Sequence, residues 1–232
     1  MREPLILIPG LNQTHDIWRE VGAGLSSVVA VMHAGIEPVS SIQEMAEQVL
    51  KGAPERFALA GLSMGGYVAM EVMRQAPDRV VRLALLDTTA RPDTPEQKER
   101  RLEGIKLAEN GRFETAVTAQ IPVLLHPNNR SAPEYVLRIR QMARAIGPKG
   151  YIAQQTAIMN RVDSRPTLEK ITCPTLILVG DQDQLTPPEL AHEMADLVPN
   201  STLYEVPEAG HLPPIEQAGK TATAMAQFLG AM

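Results

Sequence analysis

Short apolar runs recur along the chain, separated by longer stretches in which apolar positions repeat at helical spacing. The runs at Leu5–Ile8, Val28–His33, Phe57–Ala60, Val81–Leu86, Thr175–Val179 and Thr202–Val206 are predicted strands. They are apolar on both faces, the pattern of strands buried in a parallel sheet and covered by helices. Helices are predicted between them. Ile42–Leu50 opens on a Ser41/Glu44 capping box, and Gly65–Gln75 stops at Pro77. Thr186 with Glu189 makes a second capping box, with Pro187 at the first helical position, and the last helix runs from about Ile215 to Leu229. The alternation breaks once. From about Arg91 to Pro166 no strand is predicted. Helical patterns at Glu96–Glu109, Pro133–Ile146 and Gly150–Asn160 follow one another, with turn signals at Pro127-Asn128-Asn129 and Gly147-Pro148. The expected architecture is α/β: a mostly parallel sheet of about six strands with helices on both faces. Residues 1–90 and 167–232 form its core, and residues 91–166 are a helical insertion between two strands. A long insertion inside a compact domain is usually functional.

Composition narrows the class. The chain has 232 residues, enough for one full α/β domain. Aromatic residues are only 3%, so the core must be built from aliphatic side chains and methionine. The net charge of −5, with no basic cluster, argues against a nucleic-acid or anionic-membrane partner. No apolar run is long enough to cross a bilayer. The first apolar stretch is stopped by Pro9-Gly10, too early for a signal peptide. The single cysteine, Cys173, excludes an internal disulfide and reads as a small core residue ahead of Pro174. Together these features lead to the expectation of a cytoplasmic protein.

The strongest chemical signal is Gly61-Leu62-Ser63-Met64-Gly65-Gly66, between the strand Phe57–Ala60 and the helix that follows. As a bare pattern G-x-S-x-G arises by chance. Between a strand and a helix it describes a sharp turn, in which the residues two before and two after the serine approach so closely that only glycine fits. Such a turn lifts the Ser63 hydroxyl clear of the sheet at a helix N-terminus, where free N–H groups favour developing negative charge.

Serine needs a base within reach and a group that orients the base. Five histidines are available. His211 lies in Glu208-Ala209-Gly210-His211-Leu212, between the last strand and the last helix, on the sheet edge that carries Ser63. His33 ends a strand on the same edge and is the second candidate. His192 reads as solvated, His15 as a pocket residue, and His126 lies in the insertion. Three aspartates end strands on that edge: Asp87, Asp181 and Asp183. Any of them can orient His211, and a turn-capping role is the expectation for the other two. Donors for an oxyanion are expected from the backbone N–H of Met64 and, in the loop Pro9-Gly10-Leu11-Asn12, that of Leu11.

These segments resemble the α/β-hydrolase superfamily, in particular small bacterial esterase- and lactonase-like members such as the 3-oxoadipate enol-lactonases. Leu7-Ile8-Pro9-Gly10-Leu11 resembles the oxyanion loop, and Ala60–Gly66 the nucleophile elbow. Leu178–Pro187 resembles the acid loop, and Ala209-Gly210-His211-Leu212 the histidine loop. The resemblance implies Asp183, three residues after Gly180, as the acid, and the insertion as a cap over the pocket. It begins at the family's third strand, so the first two are expected to be missing, and the family's charged Arg-Gly turn is replaced by His33-Ala34-Gly35-Ile36-Glu37. Other signals fail. Gly219-Lys220-Thr221 has Pro214 where a phosphate-binding loop needs glycine, and His192-Glu193-Met194-Ala195-Asp196 lacks the second histidine of a zinc-protease helix. No dinucleotide motif follows the first strand.

The expectation is therefore a serine hydrolase that cleaves a small ester or lactone through an acyl-enzyme on Ser63. His211 acts as base, Asp183 as its orienter, and the N–H groups of Leu11 and Met64 as oxyanion donors. No cofactor, metal, nucleic-acid or membrane partner is expected, and oligomeric state is not readable. The alternatives are carbon–carbon bond hydrolysis, perhydrolysis or lyase chemistry on the same fold, or a non-catalytic ligand-binding homologue.

Overall fold

A computed structural model of the chain describes residues 2–37 and 39–230. Six strands, β1 (Pro4–Ile8), β2 (Ala30–His33), β3 (Phe57–Leu62), β4 (Val80–Leu86), β5 (Thr175–Gly180) and β6 (Ser201–Val206), form one sheet in the order β2-β1-β3-β4-β5-β6. Every neighbouring pair is parallel. Parallel neighbours require crossovers, and helices supply them. They are α1 (Arg19–Leu25), α2 (Ile42–Gly52), α3 (Met64–Gln75), α4 (Pro95–Glu109), α5 (Phe113–Leu124), α6 (Pro133–Met159), α7 (Arg165–Leu168), α8 (Pro188–Leu197), α9 (Pro213–Glu216) and α10 (Ala218–Gly230). Helices α4 to α7 all fall between β4 and β5, where the sequence shows no strand. Among the described residues, no helix is long and apolar enough to cross a membrane.

Strands β3 and β5 are buried throughout and β1 and β4 over most of their length, and their side chains alternate between the two faces of the sheet. Ile6 and Ile8 of β1, Phe57 and Leu59 of β3, and Ile177 and Val179 of β5 pack into one core with α2, α3 and α8. Leu5, Leu7, Ala58, Ala60, Leu62, Leu176 and Leu178 pack into the other with α1 and α10. Phe113, Val117, Ala143 and Tyr151 make a separate small cluster within the α4–α6 insertion.

Five details depart from the sequence expectations. The edge strands β2 and β6 are not buried on both faces: Ala30 and His33, and Thr202, Tyr204 and Glu205, are exposed. An edge strand lacks one neighbour, so its flank is not fully covered. The Thr186/Glu189 capping box does not form. Helix α8 begins at Pro188 with Pro187 as its cap, because the Thr186 hydroxyl donates instead to the Asp183 carboxylate at 2.7 Å. A hydrogen bond to a charged acceptor is the stronger option. The helices predicted at Pro133–Ile146 and Gly150–Asn160 run on as α6 across a break at Gly147 (φ 72°, ψ 172°). The last helix is in turn divided at Gln217 (φ −136°, ψ 50°) into α9 and α10. Helix α1 lies outside the predicted helices; it is short and amphipathic, burying Val21, Gly22 and Leu25.

Candidate active site

The loops at the carboxyl ends of the strands converge around the point where strand order reverses, between β1 and β3, the expected place for a ligand crevice. Among the described residues, all four non-glycine residues with positive φ lie in these loops: Asn12 after β1, Ser63 after β3, Asp87 after β4 and Glu208 after β6. Strained backbone of this kind persists only where surrounding contacts enforce it.

Ser63 has φ 54° and ψ −115° and caps α3. Its N–H donates to the Leu86 carbonyl at 2.9 Å, and its carbonyl accepts from the Thr88 hydroxyl at 2.9 Å, so the end of β4 and the loop after it hold the turn on both sides. The flanking glycines are dictated by space. A Cβ on Gly61 would collide with the Gly65 carbonyl, and one on Gly65 with the carbonyls of Ile8 and Pro9. The second approach seats the start of α3 against Ile8 and Pro9, where β1 runs into its loop.

The structure brings Ser63, His211 and Asp183 together. His211 Nε2 lies 2.9 Å from Ser63 Oγ, and Nδ1 lies 2.7 Å from Asp183 Oδ2. His211 and Asp183 are almost fully buried. Burial pushes the Asp183 carboxyl upward. The pull of His211, by charge and hydrogen bond, together with bonds from the Thr186 hydroxyl and N–H, outweighs it and holds Asp183 below the usual range. Its Oδ1 accepts from Leu185 N–H (2.8 Å) and Thr186 N–H (3.1 Å). An ionised carboxylate only accepts, so Nδ1 carries the imidazole proton and Nε2 is left to accept from the Ser63 hydroxyl.

The other candidates are elsewhere engaged. Asp181 Oδ1 accepts from Ala209 N–H at 3.3 Å, a loop-capping contact. His33 stacks near His15 with ring centroids 5.4 Å apart, and burial, then the charge of His15, push it down. His15 accordingly sits with His33 and does not line the cavity at Ser63. His192 is exposed, with Nε2 2.7 Å from Glu205 Oε1. The backbone N–H of His126 donates to Glu216.

Asp87 is the instructive rival. It is fully buried, its Oδ1 accepts from Gly180 N–H at 2.8 Å, and its Oδ2 has no partner among the described residues. Burial and then the charge of Asp183 push its carboxyl well above the ordinary range. Asp87 is thus pushed towards its protonated form beside a carboxylate that is pushed towards ionisation. One ligand atom each from Asp87, Asp183 and His211 lie within 4.8 Å of one another, the one such group of acidic, histidine or cysteine side chains among the described residues. The Asp183 oxygens are already occupied by His211, Thr186 and Leu185, which leaves little for an ion.

The upward shift of the Asp87 carboxyl has a measurable consequence. Between the ordinary carboxylate range and its raised folded value, the unfolded chain has lost this proton and the folded chain keeps it. The folded state then binds more protons, so stability falls as pH rises through that window. Asp87→Asn, which cannot ionise, is expected to remove that decline. Thermal unfolding of both proteins from pH 5 to 9 should show the variant gaining on the wild type as pH rises, and parallel curves would mean that Asp87 is ionised in the fold.

Several positioning residues carry no sequence signal. Glu216, buried in α9, accepts from Gly210 N–H (2.9 Å) and Leu212 N–H (3.4 Å), on either side of His211. It also accepts from His126 N–H (2.7 Å), tying the histidine loop to the insertion. Gln154 of α6 accepts from Asn12 N–H at 3.0 Å and so anchors the β1 loop. The pairs Glu216–His126 and Asn12–Gln154 join segments far apart in the chain, which periodicity cannot reveal. Above Ser63 a cavity of about 50 Å³ is lined by Leu11, His211 and Leu212 from the sheet loops, and by Arg101, Val117 and Ile158 among others from the insertion.

A family profile described as the alpha/beta hydrolase fold matches residues 39–218. The chain belongs to the α/β-hydrolase family. Its six-stranded parallel sheet and flanking helices are those of that fold. Among its relatives is the pimeloyl-[acyl-carrier protein] methyl ester esterase of Aliivibrio salmonicida, 27% identical over 242 residues that cover 97% of this chain and 91% of the relative. A thermophilic esterase from Thermogutta terrifontis, solved with malate bound, superposes with a TM-score of 0.90 at 33% identity, covering 98% of this chain and 89% of that one. The enol-lactonase of Burkholderia xenovorans LB400 shares the fold, with a TM-score of 0.86 at 24% identity, covering 99% of this chain and 92% of that one.

Proposed function

We propose that the protein is a serine hydrolase that cleaves small carboxylic esters or lactones through an acyl-enzyme on Ser63. The observation that carries this reading is the unbroken relay from Ser63 Oγ to His211 Nε2 (2.9 Å) and from His211 Nδ1 to Asp183 Oδ2 (2.7 Å), at the base of a cavity. The esterases among its relatives favour ester bonds as the target.

In the first step His211 takes the Ser63 proton while Oγ attacks the carbonyl carbon, and the carbonyl π electrons move to oxygen. The N–H groups of Met64 and Leu11 receive that oxyanion. Collapse expels the alcohol, which takes the proton from His211 and leaves the acyl group on Ser63. Water then repeats the sequence, His211 acting as base, and releases the acid. Asp183 keeps the imidazole in the required tautomer and stabilises its charged form. Residues 91–166 serve as a cap: α4, α5 and α6 close the cavity above Ser63 and exclude bulk water, and Gln154 and Glu216 couple the cap to the β1 and histidine loops.

The direct test pairs a fluorophosphonate probe with turnover of short nitrophenyl esters. The wild type should label at Ser63, identified by peptide mass mapping, and hydrolyse the esters. Absence of both label and turnover rejects the assignment.

A further inference from the structure

Arg101 is a cation placed in the wall of the Ser63 cavity, whose other insertion-side lining is largely apolar. Three of its five N–H groups are spent inside the protein. Nε and Nη2 donate to the two oxygens of Asp93, at 2.6 and 3.3 Å, and Nη1 donates to Gln155 Oε1 at 2.8 Å. Among the described residues, the remaining two N–H groups have no protein acceptor. The side chain keeps 19% of its surface open.

The charge around it does not balance. Asp93, whose side chain is fully buried, serves two guanidiniums at once. It also accepts from Arg161 Nη1 at 2.6 Å, and Arg161 is only 5% exposed. The other Arg161 donors go to neutral carbonyls of Arg91 and Ile158, and its guanidinium lies over the Tyr67 ring, 4.2 Å from the centroid. The nearby Arg91 and Arg165 are matched by Glu193 and Asp163. One carboxylate against two guanidiniums leaves one positive charge in excess, and Arg101 is the member of the cluster that reaches the cavity. An uncompensated, partly desolvated cation is costly unless an anion completes it. A purely apolar ester would leave that charge unmet, whereas a guanidinium fork with free N–H groups matches a carboxylate.

We infer that the pocket selects esters bearing a carboxylate remote from the scissile bond, such as monoesters of short dicarboxylic acids, with Arg101 as the residue that receives the carboxylate. This rests on the ester-hydrolase reading above.

The test compares monomethyl glutarate with dimethyl glutarate, which differ in one negative charge at equal chain length. The wild type is expected to favour the monoanion in kcat/KM by about ten- to hundred-fold, the range of a charge-assisted hydrogen bond. Arg101→Met should collapse this ratio towards unity, mainly through KM for the monoanion, and Arg101→Lys should restore part of it. A wild type that cleaves the diester as well as the monoester overturns the inference while leaving the hydrolase intact, and that comparison needs no variant. An Arg101→Met protein that loses both activities in equal proportion also overturns it, since Arg101 would then only brace α4 against α6 through Asp93 and Gln155. If neither ester is cleaved and Ser63 does not label, the hydrolase reading itself fails and this inference fails with it.

Discussion

Ser63→Ala is expected to abolish fluorophosphonate labelling and to lower ester turnover by about four to six orders of magnitude, the loss seen when a nucleophile of this kind is removed. Almost nothing in the surroundings should change. The Ser63 side chain lies at the mouth of the turn, and the bonds that hold the turn come from its backbone N–H and carbonyl, which alanine retains. Unfolding temperature should therefore move little, and circular dichroism should be unaltered. The wild type and the variant, measured with one nitrophenyl ester and one probe, decide the matter. Residual turnover near the wild-type level would mean that another group does the chemistry.

The second large effect is expected at the acid. Asp183→Asn should lower kcat by about three to four orders of magnitude, as replacing a buried orienting carboxylate by its amide does in related relays. The reason is the tautomer. Asp183 accepts from His211 Nδ1, from the Thr186 hydroxyl and from two backbone N–H groups. An asparagine must turn an N–H towards one of these donors or towards Nδ1. In the latter case Nδ1 becomes an acceptor, the proton moves to Nε2, and Ser63 loses its base. Asp87→Asn should cost only a small fraction of this. A carboxyl pushed towards its protonated form is closely mimicked by an amide, and Oδ1, which accepts from Gly180 N–H, is kept. Activities of the two variants under one set of conditions separate the aspartates, and equal losses would overturn the choice of Asp183.

The contrast between Asp87 and Asp183 also shows where sequence reading stops. Both follow apolar strands at the same sheet edge, and both are aspartates, so the pattern alone admits either. Their roles diverge through environment. Asp183 meets an imidazole and three further donors and is held ionised. Asp87 meets one backbone N–H and the neighbouring negative charge, and its carboxyl is pushed up towards the protonated form. Only the resemblance of the loop after Gly180 to a family pattern separates them beforehand. The same limit applies to Thr186. Its spacing to Glu189 matches a helix cap, and the hydroxyl is instead drawn to Asp183.

The alternation of apolar runs with helical stretches was enough to place all six strands within a residue or two of their observed ends, and for the central strands the reason is that a buried parallel strand leaves a continuous apolar run in the chain. The glycines around Ser63 are likewise a local signature, since the backbone of that turn admits no Cβ. Strand–turn–helix order and the position of His211 after the last strand are also properties of the chain itself. What the fold alone established is which groups meet across long separations: Glu216 with His126, Gln154 with Asn12, and Arg101 with Gln155. Hydrogen bonds and charges of this kind depend on distances of a few ångströms between segments up to 142 residues apart. No periodicity encodes them. They arise only once the insertion has packed over the sheet edge, and they set both the shape of the cavity above Ser63 and the charge it offers a substrate.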